Sequence, residues 1–385
     1  MNIHKADVLD HFVSPKVLAG PSASEASAAA GARLREDRVY ADLKARLDAI
    51  GFFRPAPGDY AWRLALAIAM TVFGWCCIVL AGALWLRALG VASIGVAMIQ
   101  SAFLAHDAAH GAITRRGWLV ELIGQVHATV IAGYAFSYFR RGHDLHHFHT
   151  NEEDLDPDCM SDLFSVGAAS ARRKTGLGRF VTRHQVVLLP LLVPLWALAL
   201  KWDGLTFLVR GWRRWWRDLV AMAVHVAVWL VLPAHVIGVG AALAAYFACN
   251  ALAGLYLGVV IPVNHIGTTY LAASHDLTFL EHQVATSRNI RRPTTPIVRA
   301  AFSYFFIGLD HQIEHHLFPW APVCRLAHGA AVTREFCAER GLPYHEASWA
   351  RAARDIGSHL SRVGRDGDAE AAWQLSCKLV ARGDE

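Results

Sequence analysis

The sequence has few charged residues for a chain of its length. Of 385 residues, 18% are charged and 54% are hydrophobic, and the mean hydropathy is +0.29. A soluble protein of this size would find it hard to bury so much apolar surface, so the composition favours one membrane-embedded unit. No basic face with interleaved aromatic residues stands out, and nucleic acid is therefore not expected as a partner.

Paired cysteines are also missing. The seven cysteines include no C-x-x-C pair and form no disulfide-like framework, which disfavours a thiolate metal centre and indicates a reducing compartment. The N-terminus lacks a short basic segment leading directly into an apolar core, so no cleavable signal peptide is expected.

Long apolar runs are present instead. A transmembrane helix needs about 20 apolar residues, and four spans are predicted at residues 61–89, 91–104, 219–237 and 239–263. The turn between the first two is predicted at residues 87–90. Polar residues interrupt the segment 118–139, which predicts a re-entrant or protein-packed segment. Pro190 and Pro194 interrupt the segment 186–202, which predicts an interfacial one.

These runs predict an all-α integral membrane protein with about four transmembrane helices and a cytosolic histidine-rich cap. Three regions are expected: a cytosolic segment at 1–58, a membrane domain with the candidate site at 59–345, and a cytosolic helical tail at 346–385. Basic residues concentrate between the second and third spans, and the positive-inside rule therefore places that loop and both termini in the cytoplasm. The amphipathic helix of the first region follows Leu34, Val39, Leu43, Leu47 and Ile50.

Histidine, with 21 copies, is abundant and clustered. Spacings of three and four place His143, His146 and His147 on one face of a helix, where they can converge on one ion. Two further clusters, at residues 106–110 and 311–316, have similar spacing. The predicted topology brings all three clusters to the cytoplasmic side of the membrane.

The clusters supply about eight neutral imidazoles, too many for one metal ion and about right for two. The predicted ligands are His106, His110, His143, His146, His147, His265, His315 and His316. Two iron ions can bind dioxygen between them and oxidise an unactivated C–H bond, whereas zinc has no redox chemistry. Carboxylates are expected to accept hydrogen bonds from the outer ring N–H of these ligands, and the candidates are Asp107, Asp144, Asp154, Asp156 and Asp158.

The remaining histidines have plainer interpretations. His149 is left outside the ligand set. Structural or interfacial roles are expected for His127, His184, His225, His235, His275 and His282. His311, Glu314 and His315 taken alone match the H-x-x-E-H pattern of zinc proteases, whose glutamate is the general base. An intramembrane zinc hydrolase is therefore an alternative, although it leaves two clusters unexplained.

Three boxes in the sequence resemble those of membrane fatty-acid desaturases. They are His106-Asp-Ala-Ala-His110, His143-Asp-Leu-His-His147 and Gln312-Ile-Glu-His-His316, which match H-x-x-x-H, H-x-x-H-H and Q-x-x-H-H in order. The glutamine that opens the third box is similar to the acyl-lipid and front-end branch. The resemblance covers about residues 60–360.

The resemblance implies a four-span enzyme with a histidine-bound di-iron centre beside an acyl tunnel, and no catalytic residue beyond the metal ligands. His265 or Asn264 would complete the ligand set, with Gln312 beside it. The implied reaction is O2-dependent desaturation of an acyl lipid or acyl thioester within the membrane. A hydroxylase or ketolase on the same scaffold is the alternative. The His-Pro-Gly-Gly motif of a fused cytochrome b5 domain is absent from the sequence, so a separate ferredoxin, rubredoxin or cytochrome b5 would supply electrons.

Overall fold

The computed structural model describes residues 38–161, 164–272 and 275–366, which are mostly helical. The predicted all-α class is confirmed. The beginning of the predicted N-terminal segment, with Leu34, and the end of the predicted tail lie outside the described residues.

Eighteen helices make up most of the described residues, and π-helical or 3-10 turns extend some of them. In the first half they are α1 (38–49), α2 (Pro57–Leu80), α3 (Leu84–Ala109), α4 (Gly117–Gly124, extended by a π-helix Gln125–Ala132), α5 (Phe136–Phe148), α6 (Ala168–Arg173), α7 (Gly176–Arg183), α8 (Gln185–Leu192) and α9 (Trp196–Arg210). A 3-10 turn, Pro157–Cys159, follows α5, and another, Val193–Leu195, joins α8 to α9.

The second half has the same character, with two short strands added. Its elements are α10 (Trp216–Val226, extended by a π-helix Ala227–Val231), α11 (Leu232–Ile237), α12 (Val239–Val260), α13 (Pro262–His265), α14 (Phe279–Thr286), β1 (Asn289–Arg291), α15 (Pro296–Phe306), α16 (Gln312–Leu317), α17 (Val323–Glu339), β2 (Glu346–Ser348) and α18 (Trp349–Asp366). β1 and β2 pair in parallel, with Ile290 opposite Ala347.

The chain is a multi-pass membrane protein. Within the described residues, five helical stretches are long and apolar enough to cross a membrane: Pro57–Leu80, Leu84–Ala109, Gln185–Arg210, Trp216–Ile237 and Val239–His265. A sixth is counted if Gly117–Ala132 and Phe136–Phe148, which meet at 107°, form one broken span. This bend lies within the segment in which polar residues predicted a re-entrant or packed structure. Large apolar side chains face outward from the helices, as lipid contact requires.

The first turn lies earlier than predicted. The prediction of a turn at residues 87–90 was wrong, because α2 and α3 are separated by residues 81–83 alone. Arg87 belongs to α3, and its Nε donates a hydrogen bond of 2.8 Å to the Ala81 carbonyl at the end of α2, where helical partners run out. Gly90 lets the two helices approach, since a Cβ there would lie 2.6 Å from a carbonyl oxygen of α2.

The segment with two prolines adds a candidate span beyond the four predicted. Pro190 lies inside α8, and Pro194 lies in the 3-10 turn that joins α8 to α9. The whole stretch has 26 residues. Pro194 lies in the first turn of its helical segment, where its missing N–H has no partner in any case and costs no hydrogen bond. The stretch therefore stays long enough to cross a membrane although it contains both prolines.

The end of the third box is covered by α1. Leu43 and Leu47 on α1 are fully buried, as the amphipathic pattern predicted. The Tyr40 hydroxyl donates a hydrogen bond of 2.6 Å to the Leu317 carbonyl, and its ring stacks on Phe318 with centroids 5.1 Å apart. The N-terminal helix thus packs directly on the residues that follow the last histidine cluster.

The contact between α12 and the 3-10 turn gives a test of this packing. A Cβ at Gly254 would lie 2.4 Å from the Val193 carbonyl oxygen, whereas a Cβ at Gly240 in the same helix would have no atom within 4 Å. We expect Gly254→Ala to lower the free energy of unfolding by about 1–3 kcal/mol through overpacking. Gly240→Ala is the matched control, and it should leave the free energy of unfolding unchanged or raise it slightly. Thermal unfolding of the detergent-solubilised chain measures both, and equal midpoints would contradict the close packing.

Candidate metal centre

Two adjoining groups of buried imidazoles lie where the three boxes meet. The first group takes one ring nitrogen each from His106, His110, His143, His147 and His315, all within 4.8 Å of one another. The second group does the same with His146, His265 and His316. The groups touch, because the rings of His147 and His316 stack with centroids 4.2 Å apart. All eight histidines singled out in the sequence therefore lie together.

Their order along the chain explains how they meet. The first box lies at the end of α3, and the second lies in α5, which begins after the bend. His265 ends the run of helix that starts at Val239, and the third box forms α16. The ends of membrane helices and one short helix thus bring four distant segments to one place.

In three of these rings, a hydrogen bond to the outer nitrogen determines which nitrogen faces the group. His106 Nδ1 donates to Asp107 Oδ1 over 2.9 Å, and His146 Nδ1 donates to both oxygens of Asp156 over 3.0 Å. His265 Nδ1 donates to the Thr286 carbonyl over 3.1 Å. A neutral imidazole has one N–H, so Nε2 of each ring carries the lone pair that a metal needs.

The inward nitrogens face one another. Nε2 of His143 lies 2.9 Å from Nε2 of His110 and 3.0 Å from Nε2 of His147, and Nε2 of His106 lies 3.1 Å from Nε2 of His315. The buried Nε2 of His316 has no hydrogen-bond partner. Converging lone pairs repel unless a cation lies between them, so this donor set fits two transition-metal ions.

The pKa shifts of the site agree with this arrangement of protons. Burial lowers the pKa of His315 and His316 well below the ordinary histidine value, with neighbouring histidines adding to the effect, so both rings are neutral. Burial would raise the pKa of Asp156, but His146 and the backbone N–H groups of Asn151 and Asp158 outweigh it and bring the pKa below its usual range. The ionised carboxylate is thus held against the outer N–H of His146.

The other predicted carboxylates differ among themselves. Asp158 approaches His146 Nδ1 only to 3.8 Å and is largely exposed. Asp144 is exposed, and Asp154 forms an ion pair with Arg173 at the surface. Asp154 has a φ of 69°, so the chain turns locally there. Among the predicted Asp154, Asp156 and Asp158, Asp156 makes the closest contact with a predicted metal ligand.

Two amide side chains lie beside the smaller group. Gln312 Nε2 lies 3.0 Å from His265 Nε2, and Asn264 Nδ2 donates to Gln312 Oε1 over 3.3 Å. Asn264 Oδ1 is buried without a hydrogen-bond partner. The glutamine that replaces histidine at the start of the third box therefore contacts the group with fewer imidazoles.

Several supporting residues were not predicted individually. Gln283 Oε1 accepts a hydrogen bond of 2.8 Å from His316 Nδ1, while its Nε2 donates to the His147 carbonyl over 3.0 Å. The Tyr60 hydroxyl donates to Asp107 Oδ2 over 3.0 Å. A sequence signal existed for Gln283, which lies in a stretch similar to desaturases, but none of comparable strength existed for Tyr60.

The zinc-protease pattern is not assembled. Glu314 accepts hydrogen bonds from Asn289 Nδ2 over 2.8 Å and from the Tyr344 hydroxyl over 3.0 Å. His311 lies 3.4 Å from Asp310, and in the described part of the chain it is not grouped with His315 as a possible metal ligand. The glutamate and the two histidines of this pattern therefore do not form one site.

Comparison with known proteins agrees with the geometry. The fatty acid desaturase family model matches residues 83–348. Human fatty acid desaturase 3 is 26% identical over 318 residues, covering 81% of this chain and 69% of the relative. The Delta(8)-fatty-acid desaturase of Borago officinalis is 24% identical over 303 residues, which cover 74% of this chain and 65% of the relative. The Delta 8-(E)-sphingolipid desaturase of Emericella nidulans is 25% identical over 337 residues, which cover 80% of this chain and 58% of the relative.

The chain belongs to the fatty acid desaturase family, because the family model covers more than half of it. It spans between 58% and 69% of the length of the three relatives. These relatives are named as desaturases, which are oxidoreductases, and the predicted family and class of enzyme are thereby confirmed.

The Asp156 contact gives a test of the site. Both Asp156 oxygens already accept backbone N–H groups, from Asn151 over 2.8 Å and from Asp158 over 2.9 Å. In Asp156→Asn the side-chain N–H₂ would face a backbone N–H, which is also a donor. His146 would lose the carboxylate charge that orients its ring. We expect one of two metal ions to bind roughly 10–100-fold more weakly.

Competition of the iron-loaded, detergent-solubilised protein against a chelator measures this affinity. Asp154→Asn is the matched control two residues away, and it should leave metal affinity unchanged. An Asp156→Asn protein that elutes as a folded monodisperse species and holds both ions as tightly as the unaltered chain would contradict the assignment.

Proposed function

We propose that this protein is an oxygen-dependent acyl-chain desaturase that uses two histidine-bound iron ions and a separate electron donor. The observation that carries the proposal is the pair of adjoining imidazole groups, which together contain all eight predicted ligands. Five imidazoles would hold one ion and three would hold the other, with Gln312 and Asn264 beside the second. Two irons held in this way supply oxidation of an unactivated C–H bond by O2.

The chain's own residues prepare this site before any substrate arrives. Asp107 and Asp156 hold protons at the outer nitrogens of His106 and His146, and the inward nitrogens are thus kept free of protons. The rings are largely buried, which limits access of bulk water. Fixed tautomers and limited water are what a reactive oxidising centre needs from its protein.

The overall reaction balances with one donor and one oxidant. Removal of two hydrogens from adjacent carbons yields two electrons and two protons, and the donor supplies two further electrons. O2 accepts four electrons and, with two additional protons from water, becomes two molecules of water. We infer that these electrons come from a separate donor of ferredoxin, rubredoxin or cytochrome b5 type; the 385 residues themselves contain no His-Pro-Gly-Gly motif.

The proposed substrate is a long acyl chain of a membrane lipid or thioester. Relatives are named for fatty acids and for a sphingolipid, and these names support a lipid substrate for this chain too. A featureless alkyl chain offers only distance and shape for recognition, so a tunnel of fixed depth would select the carbon attacked. We retain the cytoplasmic placement of the site and both termini, and the regions 1–58, 59–345 and 346–385, as parts of the proposal.

Product analysis tests this function. The full chain is expressed with an electron-donor system, and cellular acyl chains are analysed by mass spectrometry. We expect a new C=C bond, and we expect His315→Gln to abolish it because it removes one imidazole of the larger group. His235→Gln, at an exposed histidine outside both groups, is the matched control and should retain the product.

The chemical group found in the product distinguishes a desaturase from a hydroxylase or ketolase of the same family. A new hydroxyl or ketone in place of a double bond would support a hydroxylase or ketolase. Unchanged acyl chains in cells that contain folded, iron-loaded protein and its reduced donor would overturn the desaturase assignment.

A further inference from the structure

A third group of possible metal ligands lies outside the two imidazole groups. It contains Glu152, His275 and His282, whose ligand atoms lie within 4.8 Å of one another. Glu152 Oε1 is 3.1 Å from His275 Nε2 and 3.6 Å from His282 Nδ1. Neither histidine belongs to a desaturase box.

The tautomer of His282 is set by a backbone group. Its Nε2 donates a hydrogen bond of 2.7 Å to the Thr150 carbonyl, so in the neutral ring Nδ1 carries a lone pair. That lone pair faces Glu152 Oε1, which is also an acceptor. Such a contact between two acceptors is unfavourable, and a cation bound by both atoms would relieve it.

Glu152 is held in position by a further imidazole. Its second oxygen, Oε2, lies 3.1 Å from His149 Nδ1, which donates to it. Metal-ligating carboxylates are commonly oriented by such a hydrogen bond on the free oxygen. The side chain of Glu152 is 7% exposed, while those of His149 and His275 are 24% and 18% exposed, so an ion has a route from solvent.

We propose that Glu152, His275 and His282 bind one divalent transition-metal ion, zinc or ferrous iron. Two imidazoles and one carboxylate form a donor set that both metals accept, with positions left for water. Binding through His275 Nε2 moves its proton to Nδ1, and the ring then gives up the 3.3 Å hydrogen bond that Nδ1 accepts from the Leu277 N–H. The 3.1 Å hydrogen bond from His275 Nε2 to Glu152 Oε1 is lost as well, so two hydrogen bonds are exchanged for three ligand bonds.

This ion would fasten α14 to the end of the second box. Thr150 links the two sites, because its carbonyl accepts from His282 and its hydroxyl lies 3.1 Å from His316 Nδ1. Gln283, the next residue after His282, contacts His316 and the His147 carbonyl. A metal bound here would position residues that support both imidazole groups, and its role is structural.

Metal counting tests the proposal on the full chain. Protein produced with iron and zinc in the medium is purified in detergent, and its metals are counted by mass spectrometry, which also identifies the third ion. We expect three ions per chain in the unaltered protein and in His235→Gln, and two in His275→Gln and His282→Gln. His275 is partly exposed, so its replacement by glutamine spares the core.

The thermal unfolding midpoint gives a second test that does not depend on counting metal ions. Mild chelation should remove the partly exposed third ion first, and re-addition of ZnCl2 should then raise the unfolding midpoint of the unaltered chain but not that of His275→Gln. Two ions per chain in the unaltered protein, or equal metal content and equal zinc response in both proteins, would overturn the proposal.

Discussion

Eight imidazoles with inward-facing lone pairs impose the constraint on which this structure depends. Such lone pairs repel one another, and neutral rings in a buried place gain little from water. The protein holds them together by occupying the outer nitrogens, with carboxylates at His106 and His146 and a backbone carbonyl at His265. The fold thus fixes the protons of these rings, and with them the orientation of the proposed metal ligands.

Other contacts make sense as support for that arrangement. Asn151 has a φ of 55° and donates its side-chain amide to the His265 carbonyl and to neighbouring acceptors, joining the second box to the end of the last membrane run. The Tyr60 hydroxyl on α2 donates a hydrogen bond to Asp107, and α1 packs over the end of the third box. Elements far from the site in sequence therefore converge on its outer shell of hydrogen bonds.

Regular spacing explains what could be predicted from the sequence. Helical spacing brought His143, His146 and His147 together on α5, but the expectation that all three converge on one ion was wrong, because His146 joins His265 and His316 in the smaller group. The topology of apolar runs indicated that His265 would lie near them. The turn at residues 87–90 was misplaced because Gly90 has the appearance of a breaker, whereas its actual role is close helix packing. The two prolines suggested an interfacial segment, but Pro190 lies within α8 and Pro194 in the following 3-10 turn, and the whole stretch is long and apolar enough to cross a membrane.

Contacts between loops have no period and were largely beyond prediction. Asp154 and Asp156 look equivalent in the sequence, yet a positive φ at Asp154 accompanies its pairing with Arg173, while Asp156 contacts His146. Glu152 and His282 are 130 residues apart and meet because the chain near Leu271 pairs with residue 152. No spacing rule connects such residues.

The central claim is that the two groups hold two interacting iron ions. Mössbauer spectroscopy of the full chain, loaded with ⁵⁷Fe and purified in detergent, tests this most directly. In the oxidised protein we expect the signal of two magnetically coupled ferric ions in histidine-rich sites, and we expect His315→Gln to abolish it. Isolated, uncoupled iron at both positions, or zinc with no iron in an active protein, would contradict it.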